Sequence, residues 1–208
     1  MPREVTYAFS LASPWAYLGF DALHALVSRY HLMVTYKPVL LGEVFEQTGG
    51  LPLPKRHPAR QAYRWLELKR WRVKRAVPLN LKPKGWPCSI AVPDRVAIAL
   101  IEAGQSPVAY LRAAHRAIWV EERQLDDEAV LMEILASLGL PTSIVEIAKS
   151  ERIGAIYASN RDWAIASGIF GAPTYGLDGE LFWGQDRLEM LADMLASGRP
   201  GYTADPNP

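Results

Sequence analysis

Apolar and polar positions alternate at the start of the chain. Val5, Tyr7 and Phe9 fall on one side and Thr6, Ala8 and Ser10 on the other, the two-residue period of a strand with one face against a core. Ser13-Pro14 breaks the alternation. Serine is a favoured N-cap, and proline is pre-set for a first helical turn. Phe20, Leu23 and Val27 then recur at helical spacing, with Leu26 and Tyr30 beside them, and predict a helix from Pro14 to Tyr30. Leu32, Val34 and Tyr36 alternate again, and Pro38 closes a second strand. The opening is a strand–helix–strand unit, which is normally parallel.

From Leu40 to Ser167 no strand pattern stands out. Gly49 to Pro54 reads as a loop by its glycine and proline content. Helical spacing runs through Ala59–Arg75, from near Asp94 (Val96, Leu100, Ile101), through Val108–Trp119, through Asp127–Leu138 and through Ile153–Ser167. Gly139 suits a C-cap, and Pro141-Thr142 a fresh start. Such a block is too long for a crossover loop.

The tail returns to strands. Gly171 to Leu177 leads into Asp178-Gly179, a tight-turn pair, and Glu180 to Trp183 supplies the second arm of a hairpin. Leu188, Leu191 and Leu195 mark a last helix, with Asp186 as its expected N-cap and Gly198 as its stop. Thr203 to Pro208 reads as a frayed end. The order is βαβ, many helices, ββα: an α/β chain whose two ends complete one four-stranded sheet. Residues 1–40 and 170–208 then form one discontinuous domain, and residues 41–169 a helical insertion.

Composition narrows the function. The 208 residues carry 23 Lys and Arg against 22 Asp and Glu, a net charge of +1, which gives no sign of nucleic acid or an anionic membrane as partner. The basic run Arg60–Arg75 reads first as a solvated helix face. No apolar stretch is long enough to span a bilayer, and Met1 to Glu4 does not open a signal peptide. With Cys88 as the only cysteine, no internal disulfide forms, and a reducing cytoplasm is the expected setting. His24, His31, His57 and His115 lack metal-ligand spacing, so no metal is expected. No serine sits in a G-x-S-x-G frame. Ser13 stands out instead, because the N-terminus of a helix offers unpaired N–H groups and favours an anion.

The βαβ–ββα order is that of the thioredoxin fold, whose redox members carry C-x-x-C at the mouth of the first helix. Here that window reads Ser13-Pro14-Trp15-Ala16, so thiol–disulfide exchange is excluded. Three motifs in order, Ser13-Pro14-Trp15, Gly171-Ala172-Pro173-Thr174 and Trp183-Gly184-Gln185-Asp186-Arg187-Leu188, resemble the 2-hydroxychromene-2-carboxylate isomerase family and its kappa-class glutathione transferase relatives. The resemblance spans nearly the whole chain. It implies a thioredoxin-like four-stranded sheet with a large all-helical insertion, a cis Pro173 facing the helix mouth, and glutathione as cofactor.

On that resemblance the Ser13 hydroxyl donates to the glutathione sulfur and favours its thiolate. The Ala172 backbone pairs with the glutathione main chain like an added strand. Gln185 and Asp186 hold the γ-glutamyl end, with Asp186 answering its ammonium, and Arg60 faces a carboxylate. The implied substrate is a small aromatic carboxylate from the breakdown of naphthalene-like compounds, and the implied assembly a homodimer. Gly50 stands where kappa relatives often have asparagine, and Lys55-Arg56-His57 offers a replacement contact. Two alternatives remain beside the isomerase: a kappa-like transferase or peroxidase, and a non-catalytic protein that binds glutathione or an aromatic acid.

Overall fold

In the computed structural model, residues 3–203 are described; the expected frayed end lies outside them beyond residue 203. β1 (Glu4–Phe9), α1 (Pro14–Tyr30) and β2 (Met33–Pro38) open the chain. The helices α2 (Leu41–Thr48), α3 (Pro58–Lys74), α4 (Ala91–Glu102), α5 (Val108–Trp119), α6 (Glu128–Ser137), α7 (Ile144–Lys149) and α8 (Glu151–Ala166) follow. β3 (Thr174–Leu177), β4 (Glu180–Trp183) and α9 (Leu188–Ser197) close it. Among the described residues no helix is long and apolar enough to cross a membrane.

The sheet order is β2-β1-β3-β4. β1 pairs in parallel with β2, Tyr7 beside Tyr36, and antiparallel with β3, Tyr7 beside Tyr175. This is the thioredoxin-like sheet that the motif order implies. The alternation in β1 does its expected work: Val5, Tyr7 and Phe9 are wholly buried in the main core. Tyr7 stacks on Tyr175 with ring centroids 5.4 Å apart. Ala8 points to the other face, where a small cluster of Val39, Val44, Ala164 and Ile169 packs from α2, α8 and their flanks.

The main core is continuous from the sheet into the inserted helices, joining Phe9 and Leu23 to Leu100, Leu111 and Leu135. Polar groups also cross this boundary. Asp94 of α4, with no exposed surface, accepts bonds from Ser10 Oγ (2.9 Å) and the Leu11 amide (3.0 Å) in the β1–α1 loop. Its third donor is Tyr157 Oη of α8, at 2.9 Å.

Several boundaries differ from the periodicity. α2, an eight-residue helix, precedes the Gly49–Pro54 loop where the periodicity assigns no element, and the start expected at Pro141-Thr142 is a separate six-residue helix, α7, ahead of α8. Asp186 does not cap α9. Gln185–Arg187 form a 3-10 turn ahead of it, and no side chain caps the helix. Gly184 makes that turn: its φ of +103° suits only glycine, and a Cβ there would collide with Asp186 Oδ1.

Candidate functional site

Ser13 sits at the N-cap of α1 with extended backbone (φ −95°, ψ 113°). Its Oγ accepts from the Ala16 amide at 3.2 Å, and its carbonyl accepts from Tyr17 N. Pro14 has no N–H, and the Trp15 amide lies in the first turn of α1, where no helical carbonyl stands four residues before it. The Ser13 hydroxyl proton is directed across the sheet end, where it donates to Ala172 O at 3.0 Å. The Ala172–Pro173 peptide is cis. Pro173 O in turn accepts from Gly184 N at 2.8 Å, so the three sequence motifs meet through hydrogen bonds.

These residues line one cavity of about 830 Å3, within the size range of ligand clefts. Ala12 to Trp15, Gly171 to Pro173 and Trp183 to Arg187 form one wall. α2, α3 and their connection form the other, with Phe45, Arg56, Arg60, Arg64 and Trp71 facing the same space. Trp86 and Pro87, joined by a second cis peptide, close an edge. Ser13, Arg60, Ala172, Pro173, Gln185 and Asp186, singled out from the motifs, all lie on this cavity.

The basic run is more than a solvated face. Arg60 and Arg64, four residues apart, share one side of α3, and Arg56 stands just ahead of it. None of the three forms an ion pair among the described residues. The acid on this wall, Glu67, is engaged by Arg70 at 2.6 Å. Burial, with the Arg56 charge adding to it, brings Arg64 down to about 10. Burial and the Arg60 charge lower Arg56 as well. Like charges crowded together, with the acid of their wall already paired to Arg70, make a wall suited to anionic groups.

Arg75 at the end of α3 was not singled out from the motifs. Its Nε donates to Gln185 Oε1 and its Nη2 to Gln185 O, both at 2.8 Å. That pair fixes the amide, because the atom facing a guanidinium must be the oxygen. The Gln185 Nε2 is therefore a donor, and it is buried without a partner among the described residues. Among the described residues the one ion pair of Asp186 is with its neighbour Arg187, at 3.3 Å. Nothing local in the sequence connects Arg75 with Gln185. Arg64 had a legible signal, its four-residue spacing from Arg60.

Gly50 lies off the cavity, and a Cβ there would stand 2.5 Å from the Phe45 ring, which lines it. Of the neighbouring basic cluster only Arg56 reaches the cavity wall. Cys88 also lies outside the cavity, and burial raises its thiol above the usual value.

Residues 4–196 match the family described as the DSBA-like thioredoxin domain. A 2-hydroxychromene-2-carboxylate isomerase of Sphingobium xenophagum is 29% identical over 198 residues, covering 94% of this chain and 99% of the relative. Glutathione S-transferase kappa 1 of Caenorhabditis elegans is 26% identical over 213 residues, 96% of this chain and 93% of the relative. A solved 2-hydroxychromene-2-carboxylate isomerase structure, 26% identical, superposes with a TM-score of 0.76 over 93% of this chain and 95% of that one.

Proposed function

The chain belongs to the DSBA-like thioredoxin domain family, and from that premise we propose that it is a glutathione-dependent isomerase of small aromatic carboxylates of the 2-hydroxychromene-2-carboxylate type. The observation that carries this reading is the Ser13 hydroxyl at the mouth of α1, facing the carbonyl before cis-Pro173 inside a cavity walled by arginines. Its relatives named as isomerases and kappa transferases support an enzyme.

The residues present fit glutathione. The Ala172 carbonyl offers an acceptor to a peptide N–H, the Gln185 Nε2 is a buried donor without a partner, and Asp186 is a carboxylate suited to an ammonium. Arg60, with Arg56 and Arg64 beside it, suits a carboxylate. When bound, glutathione would supply a thiolate that adds reversibly to the substrate ring carbon and leaves again unchanged. Ser13 Oγ–H and the Trp15 amide stabilise negative charge at the helix mouth. The arginine wall orients the carboxylate of the aromatic acid, and Trp71 and Trp86 give the ring flat apolar surfaces.

The test is an incubation with 2-hydroxychromene-2-carboxylate, with and without glutathione, in which both the product and the free thiol are counted. The reading expects glutathione-dependent conversion to the open-chain isomer with the thiol fully recovered. Loss of thiol into a conjugate, with that substrate or with a halonitrobenzene, would make the protein a kappa-like transferase. Glutathione binding with no turnover of either would make it a binding protein.

A further inference from the structure

We propose that Asp94 is the positioning residue for Ser13: from inside the helical block it holds the β1–α1 loop so that the serine hydroxyl faces the site. The proposal rests on the glutathione reading for its consequence, and on contacts alone for its geometry.

Asp94 is wholly buried, yet among the described residues no cation bonds its carboxylate. The nearest guanidinium on its own helix, Arg95, lies over the Tyr157 ring at 5.6 Å. A carboxyl group in such a place costs stability unless hydrogen bonds offset the loss of water. Here every bond it accepts comes from the loop or from Tyr157. Oδ1 takes the Leu11 amide, and Oδ2 takes Ser10 Oγ and Tyr157 Oη.

Those bonds lead directly to the site. Ser10 O accepts from Ser13 N at 3.0 Å, and Ser10 Oγ accepts from the Ala12 amide at 3.3 Å. On the loop's other side Leu11 O accepts from Trp119 Nε1 of α5, at 3.2 Å. Trp119 packs on Trp86, which lines the cavity, with centroids 5.5 Å apart. Ser13 is thus two hydrogen bonds from Asp94. An apolar side chain at 94 would fill the core without that charge, but it would leave the Leu11 amide, Ser10 Oγ and Tyr157 Oη without their acceptor. A burdened buried acid at this point, tied to one loop, is the arrangement expected of a part that sets geometry.

Charge and positioning predict opposite signs. If Asp94 acted on a bound thiolate only by its negative charge, removing that charge would make the thiol more acidic in any variant. If it positions Ser13, the outcome depends on the bonds. Asp94→Asn keeps them: the amide oxygen accepts from Leu11, and the NH2 donates to Ser10 Oγ and Tyr157 Oη, whose hydroxyls turn. Asp94→Ala removes all three.

The experiment measures the acidity of glutathione bound to the full chain by thiolate absorbance, and exchange of the Ala16 amide, which bonds Ser13 Oγ. In Asp94→Ala the bound thiol becomes less acidic by about tenfold, glutathione affinity changes little, and the Ala16 amide exchanges faster. Asp94→Asn restores both readings. A folded Asp94→Ala with unchanged exchange and unchanged thiol acidity, or a thiol equally more acidic in both variants, overturns the proposal. If Asp94→Ala does not fold, Ser10→Ala, which removes the loop hydroxyl that bonds Asp94, is read instead: faster Ala16 exchange supports the proposal and unchanged exchange overturns it. The exchange needs no ligand. A wild-type protein that fails to bind glutathione therefore removes the function proposed above, while the exchange still decides the role of Asp94.

Discussion

The Ser13 hydroxyl donates its only proton to the carbonyl oxygen of Ala172, 3.0 Å away. With one proton, it cannot serve that carbonyl and a sulfur atom together. Thiolate stabilisation therefore requires the hydroxyl to turn away from Ala172, and the carbonyl then needs another donor. A peptide N–H laid along the Ala172 edge supplies one. Backbone recognition and activation of the sulfur are linked through this carbonyl.

A glutathione analogue methylated on the cysteinyl nitrogen has no such N–H. It is expected to bind about tenfold more weakly and to stay a neutral thiol at a pH where bound glutathione is ionised. Calorimetry and thiolate absorbance read the two effects. Equal ionisation of the two ligands would separate the Ala172 carbonyl from the serine.

The arginine wall predicts a trade between binding and stability. Arg64 is half-buried among like charges with no acid partner among the described residues. Arg64→Met is expected to weaken binding of the aromatic carboxylate about tenfold while raising the melting midpoint slightly. Arg60→Ala, at an exposed position, is expected to weaken binding with no change in the midpoint. Melting curves and titrations in low and high salt check both.

Asp186 caps no helix, so its loss carries no capping cost. Asp186→Asn should leave the melting midpoint within a degree or so and weaken glutathione by about tenfold. The same variant should bind the analogue lacking the γ-glutamyl ammonium as tightly as the wild type does. A lower midpoint with unchanged affinity would make Asp186 a structural residue.

Two buried groups set opposing pH dependences. Burial raises Asp94 from 3.8 to about 7 in the folded protein. The folded form then holds a proton that the unfolded chain has released, so this group makes stability fall as pH rises from about 4 to about 7. Burial lowers His115 from 6.5 to about 3. There the unfolded chain holds the extra proton, so stability rises with pH from about 3 to about 6.5. The two trends overlap and offset each other. Asp94→Asn removes the first alone, and its stability should climb more steeply than that of the wild type between pH 4 and 6.5, as measured by urea unfolding.

The sequence revealed the parts of this protein that depend on neighbours along the chain. The alternation Val5, Tyr7, Phe9 gave β1, the Ser13-Pro14 pair gave the start of α1, and Asp178-Gly179 gave the hairpin turn, whose residues both take positive φ. The motifs brought Ser13, Ala172, Pro173, Gln185 and Asp186 to one cavity, and so the sheet end was legible. Contacts between distant segments were not. Arg75 and Gln185 meet across 110 positions, and Asp94 reaches Ser10 across 84; periodicity carries no record of either. A helix of six residues, like α7, offers too few repeats to separate it from the helix that follows. Asp186 looked like a cap because aspartate just ahead of an apolar helical period is a common N-cap, whereas here a 3-10 turn comes before α9.

The most direct test is the acidity of glutathione bound to the wild-type protein and to Ser13→Ala, followed by ultraviolet titration of the thiolate. The account predicts a bound thiol more acidic than free glutathione in the wild type, and an acidity lower by about tenfold in Ser13→Ala, whose fold loses only about 1 kcal/mol with the cap. A bound thiol of the same acidity in both proteins would contradict it.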